Sequence, residues 1–423
     1  MNHDTPHLET HELSAPPSIP HADRAAHGTA RRAVRLIVVA QFLAVSLWFS
    51  ANGAAGSLSA AWGLGPADLG WLTNAVQAGF ITGTLFLALS GLADRFAASR
   101  IFAVSACAGA ALNGAFAFWS DGLASALPLR FGVGMCLAGI YPLGMKLVVS
   151  WAPERAGAAL SLLVGMLTLG TALPHGIRAL GAGWPWQAVV GVSSVLALVG
   201  AGLVARLGDG PHLRRGPATP VRVVAVLQAL RIPAYRSAAL GYFGHMWELY
   251  AFWTLVPAFV VVGGLAAQGT LAQAAWSFLI VAIGLPACIA GGQASRRIGS
   301  ARVAAVALGL SALICALFPL LAGWNAWGAA ALLLVWGAAV VADSPHFSAL
   351  SAQACGPQIV GSALALQNAV GFAITMVSIQ LGTANIASSG AAIGWWLLPG
   401  PLLGLVALAP LWRRGQRASV PKS

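Results

Sequence analysis

Two charged stretches constrain this chain more than any other feature: Ser90-Gly-Leu-Ala-Asp-Arg-Phe-Ala-Ala-Ser-Arg100 and Gly292-Gln-Ala-Ser-Arg-Arg-Ile-Gly-Ser-Ala-Arg302. Each joins two long apolar segments. Asp94, Arg95 and Arg100 fall in register with Arg296, Arg297 and Arg302 at an offset of 202 residues. A charged hairpin that recurs at this distance between apolar segments marks a duplicated membrane bundle.

The composition agrees: 58% of the residues are hydrophobic and only 8% charged, with a mean hydropathy of +0.79. Such a chain has too little polar surface to face water, so lipid is its solvent. A span needs about 20 apolar residues. Twelve segments qualify, near 35–58, 68–92, 100–119, 121–150, 155–180, 184–206, 237–262, 271–294, 302–322, 326–350, 358–385 and 392–412. The expected fold is an all-α membrane protein of twelve transmembrane helices in two six-helix halves. Its expected parts are a disordered tail (1–34), a first bundle (35–206), a linker (207–236), a second bundle (237–412) and a tail (413–423).

A net charge of +12 suggests nucleic acid in a soluble protein, but here position decides. All Lys and Arg residues except Arg130 and Arg178 fall in the tails, the linker and the loops of one side, and those two lie inside predicted helices. The positive-inside rule then puts both termini in the cytoplasm and needs no nucleic acid. Residues 1–34 carry Pro6, Pro16, Pro17, Pro20 and five histidines without an apolar period. His3, His7 and His11 have the spacing of a helical metal face, which Pro6 interrupts. No signal-peptide pattern precedes the first span. The five cysteines have no CxxC spacing and read as small packing residues.

From 35 to 412 the chain resembles the major facilitator superfamily. That family's Gly-x-Leu-Ala-Asp-Arg-x-Gly-Arg signature between helices 2 and 3 is matched by Leu92, Ala93, Asp94, Arg95 and Arg100, with Ser90 and Ala97 in place of its glycines. A fourth-helix pattern is matched by Arg130-Phe-Gly-Val-Gly134. The antiporter pattern of the fifth helix is only hinted at by Gly165, Gly170 and Pro174, so export by antiport is not inherited. Gly139 to Gly144 looks somewhat like the nitrate and cyanate branch, yet helices 2 and 8 lack its mid-membrane arginines, which disfavours nitrate. The resemblance implies alternating access by a monomer in a plasma membrane, the inner membrane of a bacterium. It also implies helices 1, 2, 4, 5, 7, 8, 10 and 11 around the cavity, and a conformational gate made by Asp94, Arg95, Arg100, Arg296, Arg297 and Arg302.

The polar residues divide the helices in the same way. Ser161, Thr168, Thr171, His175 and Arg178 form a stripe in helix 5, and Asn368, Thr375, Ser378 and Asn385 form another in helix 11. Helix 1 adds Gln41, Trp48 and Asn52, helix 2 adds Asn74, Gln77 and Thr84, and helix 4 aligns Arg130 with Tyr141. Helices 3, 6, 9 and 12 are nearly bare and are expected to face lipid. Arg130, Tyr141, His175, Arg178, Asn52, Asn74, Gln77, Asn368 and Thr375 are the candidate substrate-binding residues. The alternative is that the Ser, Thr and Gly stripes serve only close helix packing.

The ionisable residues inside spans are the strongest functional signal. Helix 7 holds His245 and Glu248, and helix 10 holds Asp343 and His346. A carboxylate at the helix centre costs about 2.5 to 3.5 kcal/mol on insertion scales, so it is kept neutral, paired or wet. Spacing by three puts His245 beside Glu248 and Asp343 beside His346. These four are the candidates for proton coupling, with Glu248 first and Asp343 as the alternative carrier. A fixed ion pair and a divalent-metal site are the competing readings of the same residues. The expected function is secondary transport of a small polar or anionic organic solute driven by protons, without a cofactor. Export of drugs or toxic compounds is the alternative, ahead of a metal carrier or a channel. No catalytic constellation stands out, and the absence of a Gly-x-x-x-x-Gly-Lys-Ser/Thr loop disfavours nucleotide hydrolysis.

Overall fold

The computed structural model describes residues 21–213, 228–356 and 359–417, and every regular element among them is helical. We label the passes α1–α12. They are α1 (His21–Val45, continued by Ser50–Gly53 and Ala55–Trp62), α2 (Pro66–Ser90), α3 (Ala98–Trp119), α4 (Leu123–Ala138 and Tyr141–Trp151), α5 (Ala156–Leu180) and α6 (Trp186–Leu207). The second set is α7 (Pro233–Val262), α8 (Thr270–Ala282 and Gly284–Ile298), α9 (Ser300–Leu321), α10 (Ala326–Ala342 and Ser344–Ala354), α11 (Val360–Ser389) and α12 (Pro399–Arg417). Ten stretches are long and apolar enough to cross a bilayer; the last, Val360–Arg413, contains both α11 and α12. With α1 the arrangement is consistent with twelve spans.

The N-terminal tail is shorter than expected. Residues 21–34 are the first turns of α1, which begins immediately after Pro20; alanines at 25, 26, 30 and 33 favour helix. The tail histidines His3, His7 and His11 lie outside the described residues. The start of the linker is tied down as well: Gly210 N donates to Ser150 Oγ at 3.1 Å and His212 N to Ser150 O at 3.1 Å. Residues 214–227 lie outside the described part. At the other end α12 continues to Arg417, five residues beyond the expected span.

Breaks in the helices have identifiable causes. Pro142 and Pro345 lack the N–H that would bond back to residues 138 and 341, and α4 and α10, the fourth helix of each half, break there. The break in α1 has no proline. Residues 46–49 leave the helix while Ser46 Oγ donates to Leu43 O (2.6 Å) and Ser50 Oγ to Leu47 O (3.1 Å), hydroxyls that compete with the backbone ladder.

With lipid on the outside there is no hydrophobic drive between helices, so close packing holds the bundle together. The pairing of α2 with α4 depends on Gly79 and Gly134: a Cβ on either would run into a backbone carbonyl, Phe131 O or Val76 O. The two halves meet along α2–α11 and α5–α8. Large apolar side chains such as Phe86, Val104, Phe118, Val306 and Val406 remain exposed, as a lipid-facing surface requires. Below, the arginine end of the bundle is the one carrying Arg95, Arg100, Arg296, Arg297 and Arg302; the far end is opposite.

Candidate functional site

The buried charge of the first half is Arg130 on α4, 0% exposed. Its Nη1 donates to Leu47 O (3.2 Å), Ser50 Oγ (2.9 Å) and Asn113 Oδ1 (2.9 Å), and its Nη2 to Trp48 O (2.7 Å). Phe116 lies under the guanidinium at 5.4 Å. The break in α1 turns the Leu47 and Trp48 carbonyls out of the helix ladder, and Arg130 takes both. The residue expected to bind an anion therefore closes a break in its own half. Its acceptor Asn113 stands on α3, one of the helices expected to be bare, and is itself held by Ser50 and Val190.

In the second half Glu248 is equally enclosed. Its Oε1 accepts from Ser311 Oγ (2.5 Å) and Cys315 Sγ (3.2 Å) on α9 and from Trp336 Nε1 (2.5 Å) on α10. No Lys, Arg or His forms an ion pair with it among the described residues. Cys315 is thus more than packing, and α9 is not bare where it matters.

His245 does not pair with Glu248, although the two share a helix face. Its Nδ1 lies 2.8 Å from Asp343 Oδ1, both side chains being 1% exposed, and its Nε2 lies 2.8 Å from Ser344 Oγ. Asp343 is the junction residue of the broken α10; its carbonyl caps the second piece through the N–H groups of His346 and Phe347. Asp343 therefore pairs across to α7 rather than with His346 on its own helix. The His346 ring is buried beside Gly291 of α8, and its Nε2 has no hydrogen-bond partner.

Between the halves the polar contacts are uncharged. Gln77 Nε2 donates to Thr375 Oγ1 (3.1 Å), and Asn74 Nδ2 donates to Met376 O (3.0 Å) and Gln380 Oε1 (3.3 Å). Trp48 Nε1 donates to Gln77 Oε1 at 3.1 Å. These bonds tie α2 to the far-end half of α11. Beneath them Trp48, Phe80, Tyr250 and Phe372 form one ring cluster across the halves, with centroids from 4.6 to 5.8 Å apart. Closer to the arginine end, Asn368 on α11 is only half-buried.

The remaining candidates separate. Asn52 and His175 are each buried, next in sequence to Gly53 and Pro174, which abut. Arg178 is apart from them at the far end of α5, where its Nη1 donates to Trp184 O at 2.8 Å. Among the gate residues Asp94 finds a partner that the motif did not name: Lys146 of α4, at 2.8 Å, which also donates to Ala93 O at 2.5 Å. Arg95, Arg100, Arg296 and Arg297 are exposed and Arg302 half-buried, with no ion pair to an acid among the described residues. Asp209 of the linker accepts from Ser99 N at 2.8 Å, the first turn of α3.

Residues 37–379 match the Major Facilitator Superfamily. No functionally curated protein matches in sequence. Among solved structures the fold is similar to that of the proton:xylose symporter XylE bound to 6-bromo-6-deoxy-D-glucose, with a TM-score of 0.70, 13% identity, and 92% of this chain and 96% of that one covered. An identity this low speaks for the fold alone; the family match spans most of the chain. The chain belongs to the Major Facilitator Superfamily and is an integral membrane transporter, not an enzyme.

Proposed function

We propose that this transporter couples the movement of a small organic solute to protons, with His245 and Asp343 as the proton-binding pair. The observation that carries the reading is the 2.8 Å contact between two fully buried titratable groups at the break of α10. A proton gained or lost there changes the pair's net charge, and a bundle that turns the pair from one side to the other carries that proton across. The similar fold of a proton:xylose symporter supports proton coupling as a use of this architecture. Glu248 is the second candidate: three donors already hold one of its oxygens inside the second half. In this reading the arginine end and both termini face the cytoplasm, because nearly all fixed positive charge collects there. The hydrogen bonds between α2 and the far-end half of α11 then close the outer side of a monomeric carrier in an inner membrane.

The test is reconstitution in vesicles with an imposed pH gradient and a mixture of small metabolites, followed by mass spectrometry of what accumulates. Accumulation should collapse with a protonophore. Asp343→Asn should abolish gradient-driven accumulation and keep solute exchange. Uptake indifferent to the gradient, or wild-type accumulation by Asp343→Asn, overturns the assignment.

A further inference from the structure

Four polar atoms near the seam between the halves are buried without a hydrogen-bond partner: Asn52 Oδ1, Thr171 Oγ1, His175 Nε2 and Trp253 Nε1. Their side chains are 7%, 1%, 3% and 1% exposed. They belong to one neighbourhood. Gly53 touches Pro174 so closely that a Cβ would clash, and Asn52 and His175 are their neighbours in sequence on α1 and α5. Thr171 lies one turn before His175 on α5. Phe49, three residues before Asn52, packs edge-on against Trp253 of α7 with ring centroids 6.1 Å apart. Buried polar groups are almost always paired, so four orphans around one junction mark a place that something else completes.

We propose that these four atoms form a polar subsite selecting an uncharged, hydroxyl-bearing organic solute. The inference rests on the transporter reading above and names its substrate class. The atoms present both roles: Trp253 Nε1–H is a donor only, the Asn52 oxygen an acceptor only because its amide nitrogen already donates to Thr73 Oγ1 (3.0 Å), and Thr171 and His175 serve as either. A hydroxyl donates and accepts, so a solute with two or more of them satisfies every member. A carboxylate or phosphate accepts only. It would leave Asn52 unpaired and bring a charge with no cation among the four, since Arg130 spends both terminal nitrogens on the break in α1 and on Asn113, keeping only Nε unpaired, and Arg178 donates to Trp184. The adjacent rings of Phe49, Trp48 and Tyr250 offer flat apolar faces to the carbon frame of such a solute.

The experiment is a thermal-shift screen of the full-length protein in detergent with matched pairs: D-glucose against D-glucuronate, myo-inositol against its monophosphate, and ribitol against ribonate. At least one neutral member should stabilise the protein, and its charged counterpart should not. Thr171→Val keeps shape while removing a donor, and Trp253→Phe removes the indole N–H with part of the ring, so each should lower that affinity about tenfold, close to 1.4 kcal/mol. Ligand-free Thr171→Val should melt no lower than wild type, because an unpaired buried donor contributes nothing to stability, whereas Trp253→Phe also opens a cavity and should melt lower. Three results overturn the proposal: charged members binding better than neutral ones, no neutral member binding, or both variants binding as wild type does. Such a result leaves the proton pair standing, because Asp343→Asn is read by the gradient and not by solute class. Gradient-independent uptake of a neutral solute sinks the coupling and leaves the subsite.

Discussion

The two halves bury charge at the same address with opposite signs. Asn113 on α3 and Cys315 on α9 are 202 residues apart, the offset of the charged hairpins, and each binds the buried charge of its half. In the first half that charge is the arginine of α4, committed to carbonyls, a hydroxyl and an amide. In the second it is the glutamate of α7, held by a hydroxyl, a thiol and an indole, with a second acid nearby on α10. Arg130 occurs where α1 is broken; α7 runs on as one helix over Pro233–Val262, with Pro257 inside it. The duplication thus supplies a polar contact on the third helix of each half, and the continuity of the neighbouring helix decides what it holds. Arginine does not lose its proton in working conditions. The buried charge of the first half is therefore fixed, and the buried carboxylates are in the second.

Removing Arg130 should break this comparison most severely. Arg130→Ala strands two carbonyls, Ser50 and Asn113 in a dry interior, at about 1 to 3 kcal/mol per unpaired group, so little folded protein should reach the membrane. Arg130→Lys keeps the charge with fewer donors and should retain partial stability. Cys315→Ala removes one weak donor of three and should cost about 1 kcal/mol. Melting curves of the three purified variants check the order. A wild-type melt for Arg130→Ala would make the arginine available for substrate after all.

Coupling sharpens the comparison within the second half. Asp343→Asn should uncouple transport fully. Glu248→Gln keeps an acceptor for Ser311, Cys315 and Trp336 and should leave most gradient-driven transport in place. Counterflow and gradient-driven uptake measured side by side separate the two. Full uncoupling by Glu248→Gln alone would restore the glutamate as the carrier.

The periodic part of this architecture is legible in the sequence because apolar length and the repeat of charged hairpins are one-dimensional signals. So is the presence of His245, Glu248 and Asp343 at membrane depth. Their partners are not legible. Spacing by three predicts His245 with Glu248, but the proline break in α10 swings Asp343 toward α7, and only the three-dimensional arrangement decides between neighbours on one helix and across two. The break in α1 carries no proline and depends on an arginine 83 residues away. Asn113 and Ser311 stand on helices otherwise apolar, and Cys315 reads from the sequence as a packing residue, although the repeat offset links Asn113 to Cys315.

The hairpins give a smaller effect. Asp94 pairs with Lys146, whereas the second-half copy carries arginines and no acid. Half-exposed ion pairs contribute about 0 to 1 kcal/mol. Lys146→Met and Asp94→Asn should therefore each slow transport by no more than about fivefold, with solute affinity unchanged. Arg296→Gln should do less. Equal slowing in both hairpins would mean that the loops work through charge alone and not through the Asp94–Lys146 contact.

The mildest test leaves activity nearly untouched and asks which surface opens. Thr375 and Ser378 are 0% and 2% exposed in the seam with α2, beneath the hydrogen bonds from Asn74 and Gln77. Cysteines placed there should react with a small hydrophilic thiol reagent only when the far end opens, and a bound solute should change their rate. Leu310 on α9 and Leu405 on α12 belong to helices that line no seam, so cysteines there should stay inert in every condition, because a thiolate does not form in contact with lipid. Gln77→Leu removes the bonds to Trp48 and Thr375 together, and should raise the reaction rate at residue 378 by shifting the bundle toward the far-open state. Labelling of Ser378→Cys that ignores both Gln77→Leu and solute would mean that α2 and α11 never part. The moving seam would then have to be α5–α8, the other large helix pairing between the halves.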